Sequence, residues 1–218
     1  MIKTIKQILK LIFPRECFGC GCLDTLVCPN CFKRIPIRPY QREKIKYQDY
    51  LDKVLIATFY SHPLVPKLIE QFKYYAQQEL ANVLGEIMFN FIKQNRLEKI
   101  LANFYLVPLP LHRRRLLERG FNQSQLLADY LSRYLSLPIV SENLWRKKYR
   151  KQQAKLSAKK RLDNIKGAFA IREENIFFGK KILLVDDVVT TGASLNEAAK
   201  VVRLAGASAV WGITIAKN

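Results

Sequence analysis

The sequence predicts an α/β protein, with one parallel sheet carrying helices on both faces and a small zinc ribbon at the N-terminal end. Three observations predict it. From residue 51 onward, apolar stretches of strand length alternate with amphipathic stretches of helical period. One such stretch, Ile182, Leu183, Leu184 and Val185, is apolar without alternation, as a strand covered on both faces requires. All five cysteines fall within CFGCGCLDTLVCPNC, residues 17–31. Four of them form two C-x-x-C pairs, a spacing at which two knuckles present four thiolates to one tetrahedral ion.

The opening MIKTIKQILKLIF places Ile2, Ile5, Ile8, Leu9 and Ile12 on one face and Lys3, Lys6 and Lys10 elsewhere, which is an amphipathic helix. It lacks the unbroken apolar centre and small-residue cleavage site of a signal peptide. No stretch reaches the roughly 18 continuous apolar residues of a membrane span. A cytoplasmic location is expected, with peripheral membrane contact through this helix as a secondary expectation. Cys17, Cys20, Cys28 and Cys31 are the expected zinc ligands, since disulfides are disfavoured in the cytosol. Cys22 could displace Cys20 or stay unused, and the spacing leaves both open. A ribbon this short has no core of its own, so the metal is expected to supply its folding energy.

KRIPIRPYQREKIKYQ follows, basic, with two prolines and no sustained period, and reads as a linker ending near Tyr47. The expected division is residues 1–46 and 47–218. With 218 residues, 49% of them hydrophobic, the chain suits one ordinary core and an appendage. Strands are expected at 54–60, 104–109, 182–185 and in SAVWGITIA. Helical segments are expected at 64–95, 122–135 and 194–204, the last stopped by Gly206. No internal repeat is present.

The stretch KILLVDDVVTTGAS carries the chemistry. Its strand should deliver Asp186 and Asp187 at the carboxyl end, with the loop Val188, Val189, Thr190, Thr191, Gly192, Ala193 leading to a helix that starts at Ser194. Ligands of open α/β sheets bind at such junctions, and a helix start offers unpaired NH groups to an anion. Gly192 permits close backbone approach, and the hydroxyls of Thr190, Thr191 and Ser194 add donors. The acceptor-only aspartates suit ribose hydroxyls or a metal ion beside the phosphate. A receiver domain is excluded, because too little chain follows the acid pair. A P-loop nucleotide triphosphatase is excluded because no GxxxxGK[ST] occurs.

Two further constellations are basic. VPLPLHRRRLLERGFNQSQLLA repeats the strand, loop and helix order, loads the loop with Arg113, Arg114, Arg115 and Arg119, and offers Asn122 as helix cap. Forked guanidinium donors there suit pyrophosphate oxygens. Neither histidine, His62 or His112, belongs to a catalytic or metal pattern. Residues 145–169 hold ten basic side chains and one acid, Asp163, with Trp145 and Tyr149 among them. Charge with interleaved rings suits single-stranded nucleic acid, so Trp145, Arg146, Lys147, Lys148, Tyr149, Arg150 and Lys151 are the expected DNA contacts. The formal net charge of +19, from 37 Lys+Arg against 18 Asp+Glu, favours polyanionic partners. No helix-turn-helix or two-cysteine, two-histidine finger is present for duplex reading.

ILLVDDVVTTGAS resembles the phosphoribosyl pyrophosphate (PRPP) motif of type I phosphoribosyltransferases. The four-cysteine ribbon, VPLPLHRRRLLERGFNQ, QAKL with RLDNIKGAF, and the acid-pair motif, in that order, resemble the ComF (ComFC) competence proteins over essentially the whole chain, and RGFNQ is the most specific run. The resemblance implies a zinc finger joined to a phosphoribosyltransferase-like domain, PRPP bound with Mg2+, and the handling of single-stranded DNA in natural transformation. It implies ribose contacts from Asp186 and Asp187, a 5'-phosphate loop from Thr190 to Ser194, and pyrophosphate-side roles for Arg114, Arg115 and Arg119. Gln153, Arg161 and Asn164 match a loop that closes over the site. A competence helicase or recombination proteins are the implied protein partners. Two positions depart from the family: Arg150 stands where a threonine is usual and Arg113 where a proline is frequent. Both departures add positive charge. The alternative is an active phosphoribosyltransferase acting on a nucleobase or nucleotide, although no base-recognising hood is legible.

Overall fold

The computed structural model describes residues 15–41, 45–75, 77–148 and 165–218. The opening helix, Tyr149, Arg150, Lys151, Gln153, Arg161 and Asn164 lie outside them. The strands are β1 (Lys53–Phe59), β2 (Phe104–Pro108), β3 (Leu144–Arg146), β4 (Phe169–Ile171), β5 (Lys181–Val189) and β6 (Ala209–Lys217). Among the described residues the helices are α1 (Pro29–Lys33), α2 (Leu64–Tyr74), α3 (Leu80–Gln94), α4 (Glu98–Leu101), α5 (Arg113–Arg119), α6 (Gln123–Leu135) and α7 (Ala193–Leu204).

The main sheet has the order β1-β6-β5-β2, and every pair in it is parallel. Parallel strands are hydrophobic on both faces because both are covered. Leu183 and Val185 enter one core, with Phe72 of α2, Met88 of α3 and Leu127 of α6. Ile182 and Leu184 enter the other, with Ala198 and Val202 of α7. Chain leaving β2 therefore returns as α6 on one face, and chain leaving β5 as α7 on the opposite face. Such divergence opens a crevice at the carboxyl ends of the two strands.

β5 departs from expectation by running through the acid pair to Val189 instead of stopping at Val185. β6 supplies the reason, pairing with Asp186, Val188 and Val189 through Thr214, Ala216 and Lys217. β2 pairs only as far as Val185. The last four residues of β5 thus have one edge free of β2, and that edge borders the crevice.

The basic segment read as a linker is fastened to the domain. Ile35 and Ile45 are buried, and Ile37 bridges Thr58 of β1. The Tyr47 amide donates to the Thr191 carbonyl at 3.0 Å, and Asn196 of α7 holds both Asp49 and the Tyr50 amide. The cysteine segment likewise shares a core instead of standing alone: Cys17, Cys28, Cys31 and Ile35 cluster with Leu64 and Leu68 of α2. Lys67 donates to the Phe18 carbonyl, and Arg15 pairs with Glu79. Its folding energy therefore includes apolar burial against α2.

Candidate functional site

A cleft of about 680 Å³ opens at the carboxyl end of the sheet. That is the size of a small-molecule site. Its floor is Asp186 to Val189, and one rim is Thr190 to Leu195. Gly192 caps α7 in a left-handed conformation, φ 84°. Its freedom serves the protein rather than a ligand, since a Cβ there would lie 2.3 Å from Ile45 Cδ1 and 2.7 Å from the Tyr47 carbonyl. The crossing segment 45–47 clamps the loop, and Thr190 to Leu195, with the start of α7, still line the cleft.

The acid pair is held from several directions. Asp186 Oδ1 accepts from Ser124 Oγ at 3.2 Å and from the Asp187 amide at 2.9 Å. Asp187 Oδ1 pairs with Lys73 Nζ at 2.9 Å. Burial, then the adjacent Asp187 carboxylate, push the Asp186 pKa up to about 7, against the pull of Lys73. Burial works against the charge on Lys73, but Asp187 and then Asp186 together outweigh it and hold its pKa above the ordinary value.

The arginines divide by helical period. Arg115 and Arg119, four apart on α5, are half-buried and line the cleft. Arg114 lies on the outer face, its Nε 3.4 Å from Glu118 Oε1, and does not line the cleft. The structure thus separates Arg114 from the two arginines with which the sequence grouped it. Arg119 Nη1 also donates to Gln123 Oε1 at 3.0 Å. Gln123 Nε2 is buried with no hydrogen-bond partner among the described residues.

Strand alternation splits the expected DNA contacts. In the antiparallel β3–β4 pair Trp145 faces outward, 39% exposed, whereas Arg146 turns to the other face and lines the cleft. Burial and the nearby Arg115 lower the Arg146 pKa to about 10. Lys147 and Lys148 are exposed. Lys148 donates to the Lys166 carbonyl at 2.9 Å, so the two ends of the basic run meet beside the cleft, which Ile165 also lines.

Sequence reasoning missed Lys73, Ser124 and the cleft role of Arg146. Lys73 lies on one face of α2 with Pro66, Ile69 and Glu70, and all four line the cleft. A lysine one helical turn after Ile69, on the flank of the apolar stripe that includes Leu68 and Phe72, was the available signal. Ser124 follows from the helix start, where Asn122 caps α6 by accepting from the Ser124 amide at 3.2 Å. Each histidine accepts from an amide at a helix start, His62 from Leu64 and His112 from Arg114.

At the cysteine segment, the sulfurs of Cys17, Cys20, Cys28 and Cys31 all lie within 4.8 Å of one another. A tetrahedral ion with Zn–S near 2.3 Å needs sulfurs ~3.8 Å apart, and Cys20 Sγ is 3.7 Å from Cys28 Sγ. Backbone amides of Cys28 and Cys31 point at Cys17 Sγ and Cys28 Sγ, at 3.3 and 3.5 Å, as donors to thiolates would. The donor set fits zinc. Cys20, not Cys22, completes the mutual group. The acid pair offers oxygens of the kind a divalent cation takes: the Oδ2 atoms of both aspartates have no hydrogen bond or ion pair among the described residues.

A parallel main sheet with helices on both faces, and an acid pair running from a strand end into a glycine-capped helix start, define a phosphoribosyltransferase-type fold. Residues 119–218 match the phosphoribosyl transferase domain family. A solved adenine phosphoribosyltransferase aligns at TM-score 0.40 and 17% identity, covering 66% of this chain and 74% of that one. Closer relatives extend over most of the chain. It is 34% identical over 190 residues to Competence protein F of Haemophilus influenzae, covering 85% of this chain and 77% of that protein. It is 35% identical over 198 residues to the DNA utilization protein YhgH of Escherichia coli K12, covering 89% and 80%. Competence protein ComFC of Bacillus subtilis is 26% identical over 205 residues, covering 89% and 81%. The chain belongs to the ComF family of competence proteins.

Proposed function

We propose that this protein binds PRPP with Mg2+ in the carboxyl-end cleft and single-stranded DNA on the basic run beside it, as a DNA-handling protein of natural transformation. One observation carries the reading: paired carboxylates and a phosphate-type loop form one side of a cleft whose other side presents Arg115, Arg119 and Arg146. Ribose hydroxyls donate to Asp186 and Asp187, the 5'-phosphate takes the Thr190 to Ser194 loop, and pyrophosphate faces the arginines. Mg2+, once bound, supplies charge neutralisation between phosphate oxygens. The names of the relatives, competence and DNA utilization, support the cellular role. Zinc on the four cysteines holds the N-terminal segment against α2.

Both ends of the basic run lie at the cleft, so PRPP and DNA are expected to influence each other. Fluorescence anisotropy with labelled single strands tests this. Affinity should fall with salt with a slope near 0.7 per phosphate neutralised. Replacing Lys147, Lys148, Arg150 and Lys151 by Ala should flatten that slope, and Trp145→Ala should weaken binding without changing it. Wild-type slope and affinity in the quadruple variant would reduce the run to a solvated face. Tyr60, Pro66 and Tyr74 form an aromatic and apolar wall of the same cleft and favour a second reading, phosphoribosyl transfer to a nucleobase-type acceptor. Pyrophosphate release on adding candidate acceptors to Mg-PRPP separates the two.

A further inference from the structure

Lys73 puts a cation where a metal ion would be drawn. Its Nζ sits 2.9 Å from Asp187 Oδ1, with the two side chains only 19% and 11% exposed. We propose that Lys73 makes divalent-cation binding at Asp186 and Asp187 conditional on an anionic ligand, so that the cleft takes up a metal–polyphosphate complex and excludes the free ion. The inference rests on the sugar-phosphate reading of the cleft.

Both aspartates keep Oδ2 available to a metal, while Oδ1 is committed to Ser124 and the Asp187 amide in one case and to Lys73 in the other. A metal on the Asp187 carboxylate lies within a few ångströms of the Lys73 ammonium. At a half-buried site the repulsion is far larger than in bulk water. Lys73 cannot readily give up Asp187, because each charge would then be left poorly solvated without its partner. The rest of the cleft does not relieve this. Arg115, Arg119 and Arg146 face it from the other wall, and Glu70 is the remaining acid among its lining residues. Lys73, Arg115, Arg119 and Arg146 thus flank the acid pair, and an arriving dication meets cationic side chains on both sides of it. A ligand with several phosphate charges reverses the balance. Its oxygens take up Lys73 and the arginines, and the acid pair becomes free to share the metal the ligand brings.

The test titrates Mn2+, visible by electron paramagnetic resonance, into the full chain without any other ligand. Wild type should show no binding at the acid pair over the range in which Lys73→Met binds, the variant being at least about tenfold tighter. Lys73→Arg should behave as wild type. Adding Asp187→Asn to Lys73→Met should abolish the gain, which locates the ion. With inorganic pyrophosphate present, wild type should gain Mn2+ binding and Lys73→Met should gain less. A folded Lys73→Met with wild-type Mn2+ affinity overturns the proposal, as does a wild type that binds Mn2+ equally with and without pyrophosphate. Lys73→Gln repeats the comparison should the methionine variant not fold. A protein that passes these tests yet ignores PRPP would sink the sugar-phosphate reading and leave the role of Lys73 standing.

Discussion

Asp186 lies beside a second carboxylate in a half-buried strand end, and its pKa of about 7 stands above the ordinary aspartate range. The folded chain therefore keeps its proton at a pH where the unfolded chain has lost it. Stability from that proton is fully present below about pH 4 and is lost as pH rises to about 7. Asp186→Asn should match wild type in urea unfolding near pH 4 and exceed it near pH 8, by about 1 to 4 kcal/mol. No pH-dependent difference would show that the carboxylate is not held this way. Residues of this kind were legible as types and not always as positions. The acid pair and its loop were read directly from VDDVVTTGAS. The cleft arginines needed the helical period as well, which places Arg115 and Arg119 together and turns Arg114 to Glu118. Lys73 belongs to no motif, and its partner is 114 residues away in sequence, Lys73 to Asp187.

At the scale of elements, Gly192 joins the loop after the acid pair to the segment that crosses it. Ala in its place meets Ile45 and the Tyr47 carbonyl and must also adopt φ 84°. Gly192→Ala should cost about 1 to 3 kcal/mol in urea unfolding. It should also loosen residues 45–50, seen as faster amide exchange at Tyr47 and Tyr50. Unchanged exchange there would contradict the clamp. The alternation of strands and helices was readable because buried strands and amphipathic helices differ in period. The extension of β5 through the aspartates was not, since it depends on β6 continuing alongside. The fastening of the basic linker was hidden too. Its prolines and charges do read as a connector, and what fixes it is a few isolated contacts, Ile35, Ile45 and the Tyr47 amide, with no period to reveal them.

Across the whole molecule, the cysteine segment and the α/β domain share one core. Cys17, Cys28 and Cys31 are buried in the cluster that contains Phe72 and Phe91. Loss of metal should therefore lower the stability of the entire chain instead of releasing an independent finger. Chelation, or Cys28→Ser, should shift a single cooperative unfolding transition to lower denaturant, by about 2 kcal/mol or more. Two separate transitions would show that the segment folds on its own. Cys22→Ser should retain metal, because Cys22 is outside the mutual group.

The claim on which the rest depends is that the acid pair binds the sugar of a phosphorylated ribose. Calorimetric titration of Mg-PRPP into wild type and into the Asp186→Asn, Asp187→Asn double variant tests it most directly. Wild type should bind, and the double variant should bind about a hundredfold or more weakly, each lost charged hydrogen bond being worth about 1.5 to 3 kcal/mol. Equal affinity in the two proteins would contradict the assignment.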